Sequence, residues 1–363
     1  MPLMFSAADH AFMARALRLA ERGLTTTSPN PRVGCVIAKD GMVVGAGWHE
    51  RAGEPHAEIH ALKQAGEQAR GATAYVTLEP CSHYGRTPPC AEALLAAGVA
   101  RVIAAMSDPN PRVAGSGLEL LRNNGIEVGV GLMEAQAREL NPGFISRMER
   151  GRPWVRVKIA ASLDGRTALA NGVSQWITGE AARHDVQRWR ARSCAILTGI
   201  GTVLADNPQL TVRDFDIGRQ PLRVVVDSQL RTPSSAHITQ DGNTLLVTAA
   251  DSAKADTLRA AGAEVLVLPG MDGRVDLSAL LKELARREIN EVLVEAGAEL
   301  NGALLQAGLV DELLLYYAPT LLGDAAHGMF ALPQFSEMSQ RVELDILSLD
   351  RVGQDIRIRA RPR

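Results

Sequence analysis

The sequence predicts an α/β protein in two domains. Short β-rich apolar runs alternate with amphipathic 3.6-residue patterns in both halves, the pattern of helices packed on a sheet. A stretch punctuated by Pro and Gly interrupts this alternation near the middle of the chain. At 363 residues the chain is longer than one domain usually runs and suits two.

Taken in order, residues 9–22 read as a helix with Phe12, Ala16, Leu19 and Ala20 on one face. Residues 33–38 and 42–48 read as strands joined by a turn at Lys39-Asp40-Gly41. Residues 58–69 are helical, and 74–78 form a short strand running into Glu79-Pro80-Cys81. Residues 89–98 suit a helix with Pro at its start and Gly after its end. A strand at 101–106, a helix at 117–123 and a strand at 126–130 complete an α/β sandwich. The break spans 141–153, with Pro142, Gly143, Gly151 and Pro153 around a charged stretch, and predicts domains 1–146 and 152–363. The second half repeats the alternation, with strands at 154–160, 195–199, 223–227, 244–249, 264–268, 291–295 and 312–319. Its clearest helices are 277–287 and 299–307.

Composition narrows the function classes. Lys and Arg total 39 against 41 Asp and Glu, a net charge of −2 with no general attraction to nucleic acid or anionic membranes. Four cysteines in so long a chain are too few for a disulfide framework, so reduced thiols are expected. The first 21 residues carry Asp9, Arg15 and Arg18 within a helical pattern and lack the features of a signal peptide. No apolar run approaches the roughly 20 residues that cross a bilayer. A cytoplasmic protein without membrane or nucleic-acid partners is the expectation.

Three pieces carry chemistry: His56-Ala57-Glu58, Pro80-Cys81 and Cys90. An imidazole and two thiolates are preferred zinc ligands, and three of them leave a coordination position for water. Glu58, two residues from His56 at a helix start, is placed to shuttle protons beside that position. Zinc deaminases of nucleobases share His-x-Glu followed by Pro-Cys-x-x-Cys. Here the first part matches, but residues 82–89 widen the cysteine spacing. His-x-Glu alone is common by chance, and two cysteines nine positions apart are more often core residues; their conjunction after a strand end favours metal. His83 as a fourth ligand would close the site and make it structural.

The wider stretches Thr77-Leu78-Glu79-Pro80-Cys81-Ser82-His83 and Gly85-Arg86-Thr87-Pro88-Pro89-Cys90 resemble the bifunctional riboflavin-biosynthesis deaminase–reductase family, which has this widened spacing. Ser28-Pro29-Asn30-Pro31-Arg32-Val33-Gly34 and Asp108-Pro109-Asn110-Pro111 extend the resemblance. So do Ala161-Ser162-Leu163-Asp164-Gly165-Arg166, Ser174-Gln175-Trp176-Ile177-Thr178 and Thr202-Val203-Leu204-Ala205-Asp206-Asn207-Pro208. The resemblance implies a cytidine-deaminase-like α/β/α sandwich followed by a dihydrofolate-reductase-like α/β domain. It implies zinc on His56, Cys81 and Cys90, Glu58 as the catalytic group, and NADPH as the second cofactor. Cofactor contacts carry over to Ala160, Trp176, Thr202, Asp206, Ser228, Gly297, Ala298, Glu299, Leu300, Asn301, Gly302 and Ala303. Substrate contacts carry over to Asn30, Ser174, Arg190, Leu210, Arg213 and Glu295. The ligands are small phosphoribosyl pyrimidines, and a homo-oligomer is expected.

Several of these residues make sense by themselves. Asn30 suits the edge of a pyrimidine, or else simply a turn between two prolines. Arg190 and Arg213 suit a phosphate because guanidinium forks bind oxyanions bidentately. Trp176 offers a flat wall for a nicotinamide. His49, Arg51, His83 and Arg86 are polar candidates near the first site, and Lys158 and Asp164 near the second. Gly199-Ile200-Gly201 lacks the third glycine of a dinucleotide fingerprint. Two rival readings remain at this stage. A nucleic-acid-editing zinc deaminase shares the motif but conflicts with the charge balance. A binding protein with a structural zinc conflicts with the three-ligand set.

Overall fold

The computed structural model describes residues 4–82, 89–111, 113–215 and 217–363. It divides into two compact units, Met1–Gly151 and Arg152–Arg363. No helix among the described residues is long and apolar enough to cross a membrane.

The first unit runs α1 (Ala7–Ala20), β1 (Gly34–Lys39), β2 (Met42–Trp48), α2 (Ala57–Ala65), β3 (Thr73–Val76) and α3 (Cys90–Ala96). It continues β4 (Arg101–Ala104), α4 (Ser116–Asn123), β5 (Glu127–Val130), α5 (Glu134–Leu140) and α6 (Pro142–Arg150). Ser6 and Asp9 close a capping box that starts α1. Asp40 and Gly41 both have positive φ, 51° and 76°, the conformation of tight turns whose twist matches a hairpin. The sheet order is β2-β1-β3-β4-β5, with β1 antiparallel to both neighbours and β3, β4 and β5 parallel. Successive strand residues face opposite sides. Cys35 and Ile37 therefore join Ala57, Ala61, Leu94 and Leu121 beneath α2, α3 and α4. Val36 joins Met13, Leu17, Leu140 and Phe144 on the other side, beneath α1, α5 and α6. The result is an α/β/α sandwich.

The stretch 141–153 is not an open linker. Pro142 begins α6 at its first turn, and Gly151 stops it in the left-handed conformation at φ 65°. A Pro at N1 lacks only an N–H that no helix would use, and Gly adopts the left-handed cap without strain. Phe144 and Ile145 bury the apolar side of this helix.

The second unit runs β6 (Trp154–Ser162), β7 (Arg166–Ala168), α7 (Glu180–Arg192), β8 (Ala195–Gly199), α8 (Ile200–Asp206), β9 (Leu222–Val226), β10 (Thr244–Thr248) and α9 (Ala253–Ala260). It continues β11 (Glu264–Val267), α10 (Leu277–Arg286), β12 (Glu291–Val294), α11 (Ala298–Gln306), β13 (Glu312–Ala318), β14 (His327–Gly328), β15 (Leu344–Val352) and β16 (Asp355–Pro362). Its main sheet has the order β11-β10-β9-β8-β12-β6-β13-β16-β15. The seven strands from β11 to β13 are parallel, and β16 and β15 add an antiparallel hairpin at one edge. Val157, Leu197, Val224, Leu284 and Leu304 belong to the core under α10 and α11. Ile196, Val225, Leu246 and Leu258 belong to the core on the opposite face.

One polar cluster crosses the centre of this sheet. Arg156 on β6 is fully buried between Glu291 on β12, at 3.2 Å, and Glu312 on β13, at 3.0 Å. Arg192 and Arg359 bind the same two carboxylates from outside, at 2.8 and 2.7 Å. Burial alone would raise the Glu312 carboxyl, but Arg156 and then Arg359 hold it at about 2, below its ordinary 4.5. Removing one partner of such a group leaves a buried charge uncompensated, which costs about 3–5 kcal/mol. Arg156→Met is expected to lower the stability of this unit by that amount in urea denaturation. Because Glu312 is depressed in the folded state, its stabilisation is complete above pH 4.5 and is lost as pH falls toward about 2. Glu312→Gln is expected to flatten the loss of stability across that window, measured by acid titration of the circular dichroism signal.

Candidate active sites

In the first unit three chain segments converge at one edge of the sheet. His56 is the N-cap of α2, with extended backbone and no side-chain cap bond. Cys81 follows the end of β3, and Cys90 opens α3. One donor atom from each lies within 4.8 Å of the others. His56 Nδ1 is 3.3 Å from Cys90 Sγ and 3.6 Å from Cys81 Sγ. The Cys90 N–H donates to Cys81 Sγ at 3.3 Å. Hydrogen bonds from the Cys90 thiol and from His56 pull the Cys81 thiol down to about 4. An imidazole and two sulfurs, one already favouring the thiolate, are a donor set that fits zinc. No disulfide ties any of the four cysteines.

Glu58, in the first turn of α2, is buried beside this group, and burial pushes its carboxyl up to about 7. Its Oε2 has no hydrogen-bond partner among the described residues. An unpartnered buried carboxylate oxygen next to three metal donors fits an atom held ready for a reactant. His49 lies with its ring 5.2 Å from that of His56. It is linked to Asn30 Nδ2 at 3.1 Å and to the Pro55 carbonyl at 3.2 Å. Asn30 is thus brought to the metal donors through one intervening side chain. Arg51 is exposed to solvent. His83 and Arg86 lie outside the described residues.

Sequence reasoning missed Glu79. Its buried carboxylate accepts backbone N–H groups of Asp108 and Gly115 on Oε2 and of Gly117 and Leu118 on Oε1, at 3.0 to 3.4 Å. It therefore ties the 108–118 segment to the strand end that carries Cys81. An acidic residue directly before Pro-Cys at a strand end was the available signal.

The second unit holds a cavity of about 1730 Å³ over the carboxyl ends of its parallel strands. Of the expected cofactor contacts, Ala160, Trp176, Thr202, Asp206, Ser228, Gly297, Ala298, Glu299, Leu300 and Ala303 line it. Asn301 and Gly302 do not. Asn301 is buried and donates to the Ala296 and Met329 carbonyls, and Gly302 sits against the backbone of Ala331. The expected substrate contacts Ser174, Arg190, Leu210, Arg213 and Glu295 all line the cavity, as does Lys158.

Arg190 grips Glu295 through two parallel hydrogen bonds of 2.5 and 3.0 Å and donates its remaining Nη1 to the Thr211 carbonyl at 3.1 Å. Lys158 Nζ is 3.6 Å from Glu295. Burial would raise the Glu295 carboxyl, but Arg190 and Lys158 hold it at about 2. Burial lowers the Lys158 ammonium. The 210–213 segment is fixed by Gln220, whose amide both accepts from and donates to Val212, at 2.8 and 2.9 Å. Trp176 is 70% exposed, with Arg183 stacked on its ring at 4.7 Å. Asp164 departs from its expected role. It accepts from Ser162, Leu322 and Gly323 and holds a loop, and it is not among the cavity residues.

Two family models match the chain. The cytidine and deoxycytidylate deaminase zinc-binding region matches residues 6–106, and the RibD C-terminal domain matches residues 153–358. The riboflavin biosynthesis protein RibD of Escherichia coli (strain K12) is 52% identical, covering 96% of this chain and 98% of that protein. That of Haemophilus influenzae is 48% identical over 99% of each. Among solved structures, Acinetobacter baumannii RibD superposes with a TM-score of 0.91 at 49% identity, covering 98% of this chain and 99% of that one. A Thermotoga maritima diaminohydroxyphosphoribosylaminopyrimidine deaminase/5-amino-6-(5-phosphoribosylamino)uracil reductase superposes with 0.87 at 34% identity, with the same coverage.

The first site tolerates little change in its backing. A Cβ on Gly117 would stand 2.0 Å from the Pro80 carbonyl oxygen, so that strand end would have to move. Gly117→Ala is expected to cost about 1–3 kcal/mol by overpacking and to weaken metal retention through the displaced Cys81. Thermal unfolding and metal content after dialysis measure the two effects.

Proposed function

The chain belongs to the bifunctional riboflavin-biosynthesis deaminase–reductase family, a zinc-dependent deaminase joined to an NADPH-dependent reductase, and on that premise we propose which residues perform each step. The observation that carries the assignment in the first unit is the convergence of His56, Cys81 and Cys90 beside an unpartnered Glu58 oxygen. The substrate is 2,5-diamino-6-(5-phosphoribosylamino)pyrimidin-4-one. One exocyclic amine is replaced by oxygen from water, and ammonia leaves. The ribosyl chain is then reduced to ribityl. A nucleic-acid-editing role is not favoured.

His56, Cys81 and Cys90 hold zinc in this reading. When bound, zinc supplies the Lewis acidity that makes water a nucleophile near neutral pH. Glu58 takes one proton from the attacking water and delivers it to the ring nitrogen, then carries the second from the new hydroxyl to the departing amine. Asn30 reads the pyrimidine edge, with His49 holding its amide.

In the second unit NADPH, when bound, supplies the hydride. Trp176, Thr202, Ser228 and the turn from Gly297 into α11, whose N-terminal amides suit phosphate, would hold the cofactor. Lys158, with a lowered ammonium beside Glu295, provides the proton at the reduced centre. Arg190 buttresses Glu295 and the 210–213 segment. Arg213, with no ion-pair partner among the described residues, receives the substrate phosphate.

We further propose that the chain works in the cytoplasm as a homo-oligomer. Its free cysteines suit a reducing compartment. The edge strand β15 leaves Ile346 and Leu349 64% and 65% exposed, and exposed apolar edge strands pair with other strands.

Mass-spectrometric turnover tests the assignment. The product should gain one mass unit on deamination and two more only when NADPH is present. Glu58→Gln is expected to keep its zinc while ammonia release falls about 10²–10⁴-fold, with NADPH oxidation on the deaminated substrate unchanged. Loss of zinc in that variant would make Glu58 a ligand instead. Ile346→Asp combined with Leu349→Asp is expected to reduce the oligomer in sedimentation velocity. An unchanged sedimentation coefficient would remove this edge from the interface.

A further inference from the structure

The cavity face of α7 carries a residue that neither the motifs nor the steps above use. Arg183, Gln187 and Arg190 stand at i, i+4 and i+7, on one side of the helix, and all three line the cavity. Arg183 stacks on Trp176 and Arg190 grips Glu295. Gln187, between them, is 6% exposed, so its amide has few places to direct its hydrogen-bonding groups.

Donor and acceptor logic fixes the orientation of that amide. The Arg213 backbone N–H meets it at 3.2 Å, and a backbone N–H only donates. The atom facing Arg213 is therefore Oε1, whichever way the amide is drawn. Nε2, with two N–H groups, faces away, and it has no acceptor among the described residues. Gln187 lines the cavity together with Arg213, whose guanidinium has no ion-pair partner among the described residues.

We propose that Gln187 is a substrate-binding residue of the reductase, donating from Nε2 to the phosphate monoester of the deaminated substrate beside Arg213. This rests on the reading that Arg213 takes that phosphate. One amide thus serves two ends. Its oxygen holds the backbone that presents Arg213, and its nitrogen meets the same oxyanion. The pair supplies one charged and one neutral donor to a single phosphate group.

Gln187→Glu separates this role from a purely structural one. It keeps an acceptor for the Arg213 N–H but replaces the donor with an oxygen that repels phosphate. The expected result is a rise of ten-fold or more in KM for the phosphorylated, deaminated substrate. KM for NADPH and the melting temperature should stay within error of the parent. With the dephosphorylated counterpart the Gln187→Glu penalty should vanish. Gln187→Leu, which removes both functions, should raise KM at least as much. Arg213→Ala is the reference for the phosphate reading itself. If Arg213→Ala raises KM and Gln187→Glu behaves as the parent, Gln187 only holds the loop and the proposal is overturned alone. If neither variant changes KM, the phosphate lies elsewhere and both readings fail. A rise confined to KM for NADPH would assign this corner to the cofactor and overturn the proposal.

Discussion

A chain leaving the carboxyl end of a parallel strand must turn over the edge of the sheet, and its backbone donors there need partners. That constraint places the chemistry in each unit. In the first, β3 ends and the chain passes through Glu79, Pro80 and Cys81. Four backbone N–H groups of the following crossover are satisfied by the Glu79 carboxylate. Cys81, two residues on, is thereby held in register with the starts of α2 and α3. In the second unit, the ends of β6, β8, β9 and β12 open onto one cavity, and the residues just beyond them line it. The doubly wound arrangement makes such an edge a natural binding crevice.

Both sites handle charge by burial against specific partners. Glu295 stays ionised deep in its cavity because Arg190 and Lys158 are close. Glu58 has no such cation bonded to it among the described residues, and burial drives it the other way. Two carboxylates on one chain are thus prepared for opposite tasks. One remains a fixed negative charge between Arg190 and Lys158. The other can exchange a proton near neutral pH.

Much of this was legible in the sequence, for physical reasons that differ between elements. The strands of the parallel sheet are buried on both faces, so 195–199, 244–249 and 291–295 read directly as apolar runs. His56, Glu58, Cys81 and Cys90 stood out because few other chemistries need those residue types together. Helix α7 was not legible. It carries four arginines and buries only Ala182, Val186, Gln187 and Ala191, so its apolar stripe is too thin to show. With it went the roles of Arg183 and Gln187. The hairpin β15–β16 was missed because its strands mix charges with half-exposed apolar residues and have no clean alternation. Pro142 and Gly151 looked like a linker because the same residues that break helices also begin and end them. The inward positions of Asn301 and Gly302 depend on contacts with Met329 and Ala331, far away in sequence.

The cluster at the centre of the second sheet has an optical consequence. Trp189 packs beside it, with the guanidinium carbons of Arg156, Arg192 and Arg359 at 4.6, 5.8 and 5.6 Å from its ring. An indole surrounded by cations experiences a strong local field, and the emission energy of tryptophan responds to such fields. The enzyme therefore contains an intrinsic fluorophore at the junction of β6, β12 and β13, whose colour reports whether those ions are assembled without any attached dye.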